Sequence, residues 1–469
     1  MRPSRLPHLA RRAAWLVATR VAGWFGVSPQ RLHSLRQRIW KLKPFNAKLA
    51  ARILALPPVP PPERTRHRVV HLIGSLGAGG SERQLVNLAR ETARRGEIDV
   101  RILTTSALVG SNAHYLPLAQ NGGVTVEVMG ISNPPEIARR IHADRSVRSC
   151  LAALSPVYRQ QVTELTRDFV RLQPDVVHAW LDHANIWGGI AAFLAGVPSI
   201  VLSTRAMSPP NFPMLDALYF LPWYQRFAAS SRVRLLANSR AGANDYAAWM
   251  GVDPGRFTVI PNGFDPNALP VSSEGMRAQL RDELGLGSAR VVLGVFRISE
   301  EKEPGIFAQA AELILRANED ACVCVAGDGP LRRTLEARAA AIDAKRFRVL
   351  GRRDDIAALI SIADVVLHAS RTEGAPNALI EAQALGCPVV ATSGGGTADA
   401  VEHEGSGFLC AVGDADDLAR RALQILDNPV LRARMSKRAQ AFVRSTFALD
   451  QMVDRSVACY ASTLKSPRE

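Results

Sequence analysis

Residues 371–386, RTEGAPNALIEAQALG, carry two carboxylates, Glu373 and Glu381, eight positions apart with a Gly-Ala-Pro-Asn turn between them. The turn predicts a helix, with Glu373 just before it and Glu381 one to two turns along it. Pro376 suits the first turn. The amides of Asn377, Ala378 and Leu379 would offer donors and the positive end of the helix dipole to a phosphate. Carboxylates accept hydrogen bonds from vicinal hydroxyls. One acid could hold the hydroxyls of a sugar and the other those of a ribose, with a diphosphate bridged between them. That description fits a nucleotide sugar. Two solvated acids at a helix start would give the same pattern.

Other residues of the same chemistry stand at turns. Arg297 and Lys302, in FRISEEKEP, could hold a diphosphate, Arg through its fork and Lys as a point charge. A solvated surface pair would look the same. GSLGAGGSE (74–82) places Gly77, Gly79 and Gly80 where backbone could approach an anion at a helix start, or simply turn tightly. It lacks the Gly-Lys-Ser/Thr ending of a Walker-type loop. AGDGP (326–330), with Gly327, and VLGRRDD (349–355), with Arg352, are further glycine turns, and backbone groups of the second could read a base edge. DADD (414–417) invites a metal reading, but it begins a helix, and Asp414 reads better as its N-cap. No other cluster offers hard-metal ligands, so neither a metal nor another cofactor is expected.

The elements that must place these residues alternate strand and helix. VVHLIGSL is a strand and SERQLVNLARETARRG a helix, capped by Ser81 and stopped by Gly96. Strands DVRILTT, VTVEVMG, DVVHAW, VRLLANS and RFTVI follow among helices, with an irregular stretch over residues 205–231. PNGFDP (261–266) separates this series from a second, which starts at RVVLGVFR and includes CVCVAG, FRVLG, ADVVLHAS, CPVVATS and GFLCAV. Such alternation implies βαβ units and parallel sheets. The fold class expected is α/β, with two doubly wound Rossmann-like domains facing across a cleft. Ligands on such sheets bind beyond the carboxyl ends of the strands, where these turns fall. The boundaries expected are a basic extension and Pro-rich linker over 1–66, a first Rossmann-like domain over 67–262, a second over 263–445, and a terminal helical segment over 446–469.

Charge is unevenly spread. Residues 1–68 hold 15 Lys or Arg and one acid, whereas the remainder holds 43 basic and 42 acidic residues. A neutral globular body without a nucleic-acid motif argues against a nucleic-acid partner. Leu32, Leu35, Ile39 and Leu42 recur at helical spacing, and Trp15, Trp24, Phe25 and Trp40 favour an interface, although Arg20 and Arg36 lie near the apolar arcs. Residues 1–50 are therefore expected to meet an anionic membrane surface; a disordered or targeting tail would share this composition. Residues 184–204 are uncharged and long enough to imitate a membrane span, but Asn185, Gly188, Gly189, Gly196 and Pro198 divide them into helix, turn and strand. Six cysteines show no metal-ligand spacing or disulfide framework, and Cys322 and Cys324 alternate as on one face of a buried strand.

GAGGSE, VIPNGFD, FRISEEK, GDGP, LGRRDD and EGAPNALIEAQALGCPVVAT, in this order, resemble the family 4 retaining glycosyltransferases of the B-type fold. The resemblance runs from about residue 68 to the C-terminus, and the Glu-x7-Glu element is its most specific part. It implies an acceptor domain over 67–262, a nucleotide-sugar donor domain over 263–445, a donor cleft between them, and a terminal helix over 446–469 packing back towards the first domain. It implies that Arg297 and Lys302 hold the diphosphate, Glu373 contacts the donor sugar, Glu381 contacts the ribose, and Gly79 and Gly80 lie near the donor phosphates. The chain departs from the pattern in one place: many relatives carry a histidine after the strand matched by SIVLST, where this chain has Arg205. HAWLDHAN supplies His178 and His183, and His183 resembles an acceptor-side histidine that would act in catalysis; capping or packing is the plainer alternative.

The resemblance implies a metal-independent hexosyltransferase. It would move a sugar from a nucleotide-diphosphate donor to the hydroxyl of a saccharide, or of a lipid-linked saccharide, in cell-surface polysaccharide synthesis. It would work in the cytoplasm, peripherally on the inner face of the cytoplasmic membrane. A nucleotide-sugar epimerase can share the fold and is the alternative.

Overall fold

A computed structural model describes residues 45–212, 215, 217–265 and 272–464. The interfacial pattern read over residues 1–44, with Trp15, Arg20, Trp24, Phe25, Leu32, Leu35, Arg36, Ile39, Trp40 and Leu42, lies outside the described residues. The chain divides into two units. The described residues up to Ala237, with Ala243–Val259 and the residues from Val453, form the first, and Asn238–Gly242 with Ile260–Met452 form the second.

The first unit is built on β1 (His67–Ile73), β2 (Ile98–Thr104), β3 (Thr125–Val128), β4 (Val176–Trp180), β5 (Ser199–Thr204), β6 (Val233–Ala237) and β7 (Phe257–Val259). They pair in the order β3-β2-β1-β4-β5-β6-β7, all parallel. β4 and β5 are buried along their whole length, as expected of strands covered on both faces. The sequence order reverses between β1 and β4, so this sheet has its switch point there.

The second unit is built on β8 (Arg290–Val295), β9 (Ala321–Ala326), β10 (Phe347–Gly351), β11 (Val365–His368), β12 (Val389–Thr392) and β13 (Gly407–Cys410), in the order β10-β9-β8-β11-β12-β13, again all parallel. Its switch point lies between β8 and β11. Alternation along β9 divides the core: Val323 and Val325 face Phe307, Ile314 and Leu418, while Cys322 and Cys324 face Leu280, Leu359 and Leu379. The cysteines thus share one buried face, and all six are free thiols.

Several expectations hold locally. Residues 184–204 resolve into the end of helix Asp182–Leu194, a left-handed Gly196 (φ +70°) and β5. Among the described residues no helix is long and apolar enough to cross a membrane. Asp414 caps helix Ala415–Leu426 through the amide of Asp417 at 2.8 Å. Others need correction. Gly79, not Ser81, caps helix Gly80–Arg95, because the helical turn begins two residues earlier. Pro376 is the N-cap of helix Asn377–Ala384, not part of its first turn. The stretch read as irregular contains helix Ala217–Ala228 with Pro222 inside it. Tyr219, Phe220, Trp223, Tyr224 and Phe227 bury one side of that helix, and this burial outweighs proline's local penalty.

The core of the first unit also begins before residue 67. Helix Ala47–Leu54 is capped by Asn46, whose side chain accepts from Leu49 N at 2.9 Å, and it buries Leu49, Ala50 and Ile53. Phe45 packs edge-on against Trp223 at 5.5 Å. Beyond the helix the proline segment is held to the body by Val59 N to Gly196 O (2.7 Å) and by Arg232 to Leu56 O (2.8 Å). Residues 45–59 are therefore part of the packed unit, not of a free extension.

A polar cluster lies in the interior of the same unit. Trp180 Nε1 donates to His71 Nδ1 (3.2 Å), and His178 Nδ1 bonds the hydroxyl of Tyr460 (2.8 Å) from the terminal helix Leu449–Leu464. Burial holds both histidines neutral, with His71 pushed down to about 3.

Ile53 is fully buried, so Ile53→Ala should lower the stability of the chain by about 2–4 kcal/mol. Urea unfolding followed by tryptophan fluorescence reads this. An unchanged midpoint would mean that helix Ala47–Leu54 adds nothing to the fold.

Candidate functional site

The pairing of β8 with β11, Val292 beside Val365 and Leu293 beside Val366, sets the loops that follow these strands side by side. Backbone and side-chain bonds then fix them. Arg371 N and Ser370 Oγ both donate to Glu301 O, at 2.9 and 3.1 Å. Ser370 and Thr392 bond reciprocally, which ties the second loop to the end of β12. Ser299 Oγ donates to Glu301 Oε1 at 2.5 Å. A left-handed Glu303 (φ +46°) turns the first loop into helix Pro304–Ala317.

This arrangement joins Lys302 to Glu373. The Lys302 ammonium contacts Glu373 Oε1, and His368, the last residue of β11, bonds the same oxygen through Nε2 at 2.7 Å. Glu373 is only 8% exposed and His368 3%. Burial by itself would raise the Glu373 carboxyl. The Lys302 charge and the His368 hydrogen bond outweigh it and hold the group at about 2. Glu373 is thus an ionised, buried carboxylate at a switch point, neutralised by one cation and aimed by one ring. Sequence reasoning missed His368. Its signal was a histidine at the end of an otherwise apolar strand, five residues before Glu373.

The remaining predicted residues of this unit have different surroundings. Asn377 and Ala378 start helix Asn377–Ala384, whereas the Leu379 amide is taken by Pro376 O at 3.1 Å. Asn262, from VIPNGFD, donates to Asn377 Oδ1 at 2.7 Å and so orients the helix start, a role the sequence reading did not give it. Glu381 lies on the second turn and is buried. Arg297, two residues past β8, is exposed. Gly327 has a packing reason for its type: a side chain there would collide with the Phe296 carbonyl. Arg352 is exposed and lies 3.9 Å from Asp354, while its neighbour Arg353 is anchored to Asp355 at 2.8 and 2.6 Å.

The first unit repeats the theme at its own switch point. Gly79 and Gly80 follow β1, and His183 follows β4. The space beside Gly79 is occupied by the Glu82 carboxylate, whose pKa burial raises. Leu181 has φ +73°, a strained conformation for a branched residue, and leads into helix Asp182–Leu194. Asp182 secures that turn: its Oδ1 accepts from the hydroxyls of Tyr224 and Tyr246, both at 2.7 Å. His183 beside it is half-buried, edge-on to Trp187 (5.2 Å) and Phe220 (5.1 Å). Arg205 is buried, with its guanidinium 4.7 Å from the centre of the Trp180 ring, and burial lowers its pKa to about 9. His178 belongs to the interior polar cluster described above. Among the described residues no three His, Cys, Asp or Glu side chains group as a metal site.

The Glu373 carboxyl titrates near 4.5 when free and near 2 in the fold. Its stabilising contribution is present above pH 4.5 and lost as pH falls towards 2. The stability advantage of the wild type over Glu373→Gln should therefore shrink by about 2 kcal/mol between pH 5 and pH 3. Urea titrations at each pH measure it. A pH-independent difference would show that the carboxylate is not held ionised.

Comparison with known proteins follows the same division of the chain. The family model described as Glycosyltransferase Family 4 matches residues 78–268, and that described as Glycosyl transferases group 1 matches residues 276–442. The Vi polysaccharide biosynthesis protein VipC/TviE of Salmonella typhi is 28% identical over 417 residues, which span 84% of this chain and 72% of that protein. The UDP-Gal:alpha-D-GlcNAc-diphosphoundecaprenol alpha-1,3-galactosyltransferase of Escherichia coli is 30% identical over 289 residues, 60% of this chain and 73% of that protein. Among solved structures, Anabaena Alr3699/HepE in complex with UDP-glucose superposes with a TM-score of 0.68 at 24% identity, over 84% of this chain and 99% of that one, a likeness of fold. Sequence relationship and fold agree with the expectation drawn from the Glu-x7-Glu element, and the chain belongs to the family 4 glycosyltransferases of the B-type fold.

Proposed function

We propose that this glycosyltransferase moves a hexose from a nucleoside-diphosphate sugar to the hydroxyl of a lipid-linked saccharide during cell-surface polysaccharide synthesis, with retention of anomeric configuration. The observation that carries the reading is the ionised Glu373, paired with Lys302 at the switch point of the second sheet. A buried carboxylate suits sugar hydroxyls, and the cations Lys302 and Arg297 suit the diphosphate that leaves. The acceptor oxygen bonds to the anomeric carbon as the bond from that carbon to the diphosphate breaks. The electron pair of that bond goes to the phosphate, which takes the hydroxyl proton on the same face. His183, at the switch point of the first sheet, serves the acceptor. The E. coli relative, named as a UDP-Gal transferase acting on a diphosphoundecaprenol sugar, and the UDP-glucose complex of HepE make a uridine-diphosphate hexose the donor to test first. The names of the relatives favour transfer over epimerisation, and an epimerase would need no acceptor.

Arg297 is exposed, so Arg297→Ala should leave the fold intact. With Glu381→Ala it should cost about 1.5–3 kcal/mol in kcat/KM for the donor, the worth of a charge-assisted contact. Lys302→Ala should cost as much and also destabilise, because it strips the cation from a buried carboxylate. Wild-type donor kinetics in all three would overturn the site. The two cations can offset diphosphate charge without a metal, so activity should survive chelation, and NMR of the product should show a retained linkage. Loss of activity in chelator, restored by a divalent ion, would overturn the metal-free part.

We also propose that the basic segment ahead of Phe45 holds the enzyme on the cytoplasmic leaflet, close to a lipid-linked acceptor. Its Lys and Arg content supports this, at about 1 kcal/mol for each basic residue near an anionic surface. Full-length protein should float with anionic liposomes at low salt, and a chain starting at Phe45 should not. The cut belongs there and not at residue 68, since helix Ala47–Leu54 is part of the core. Equal flotation of the two would end the membrane role.

A further inference from the structure

We infer that His368 is a positioning residue for donor-sugar recognition: it locks one oxygen of Glu373 so that the other faces the sugar. The inference rests on the reading that Glu373 meets that sugar. Lys302 Nζ and His368 Nε2 both engage Oε1, and neither engages Oε2. An ionised carboxylate only accepts, so Nε2 carries the proton and donates. The two donors differ in what they impose. Lys302 is a compact charge on a flexible stem and satisfies Oε1 from a range of directions. His368 closes a strand, is 3% exposed, and packs its ring edge-on to Phe296 at 6.4 Å. Its nitrogen therefore has one direction, and that direction sets the plane of the carboxylate. Without the ring, Lys302 would still neutralise Glu373, but the carboxylate could turn about its last bond. Its free oxygen would then be presented to a hydroxyl only part of the time. The loss should fall on the sugar half of the donor and spare the nucleotide half, because the diphosphate cations remain.

The test uses the full chain with UDP-glucose or whichever nucleotide sugar the wild type consumes, and compares His368→Leu with His368→Gln, whose amide can donate from near the position of Nε2. His368→Leu should lose about tenfold in kcat/KM for the donor, while the Kd of the bare nucleoside diphosphate, UDP, changes less than about twofold. His368→Gln should return to within about threefold of wild type. In a Glu373→Gln background, His368→Leu should add less than about twofold, since the two act as one unit. If the leucine variant does not fold, His368→Asn, whose amide stops short of Glu373, replaces it. Wild-type kinetics in His368→Leu, an equal loss for bare UDP, or an undiminished loss in the Glu373→Gln background would each overturn the inference while leaving sugar transfer in place. A wild-type chain that consumes no nucleotide sugar would instead overturn the transfer reading, and this inference with it.

Discussion

The parallel pairing of β8 with β11 is the constraint on which the candidate site depends. In a doubly wound sheet the connections leave in opposite directions at one place, and the loops there are not covered by a crossover helix. Lys302 and Glu373 stand in those two loops, 71 positions apart in the chain. A buried carboxylate is costly unless it is paired and hydrogen-bonded. Here the cation comes from one loop and the imidazole from the strand that begins the other. The charge that would destabilise a core is thereby kept ionised and in one orientation, which a polar ligand can use.

The first unit solves a related problem with neutral groups. Asp182 is buried at a helix start, and two tyrosine hydroxyls converge on one of its oxygens. That network holds a strained Leu181 and, next to it, His183. Deeper in the same unit, histidines on β1 and β4 are kept neutral by burial, and one of them bonds Tyr460 of the terminal helix. Polar groups in this interior fix particular elements in place at little charge cost, and helix Ala47–Leu54 adds Leu49, Ala50 and Ile53 to the same core.

The chain itself determined a good deal. Alternating apolar strands and amphipathic helices specify two series of βαβ units, because burial on both faces of a parallel sheet demands continuous apolar strands. The Glu-x7-Glu spacing, the glycine turns and the cation pair carry the family resemblance, because charge and turn chemistry are local properties. Gly96 and Asp414 end and begin helices where their types require. Only the tertiary structure decided which of these residues meet. His368 reads as one polar residue in a strand until β11 lies beside β8. That a side chain at Gly327 would meet the Phe296 carbonyl shows only in the fold. Helix Ala47–Leu54 reads as part of a basic tail until its apolar face finds the rest of the core. Helix Ala217–Ala228 reads as irregular because Pro222 breaks its local pattern, and burial of its aromatic side restores it. Propensity and spacing act within a few residues, whereas pairing, burial and desolvation act between residues that only the fold brings together.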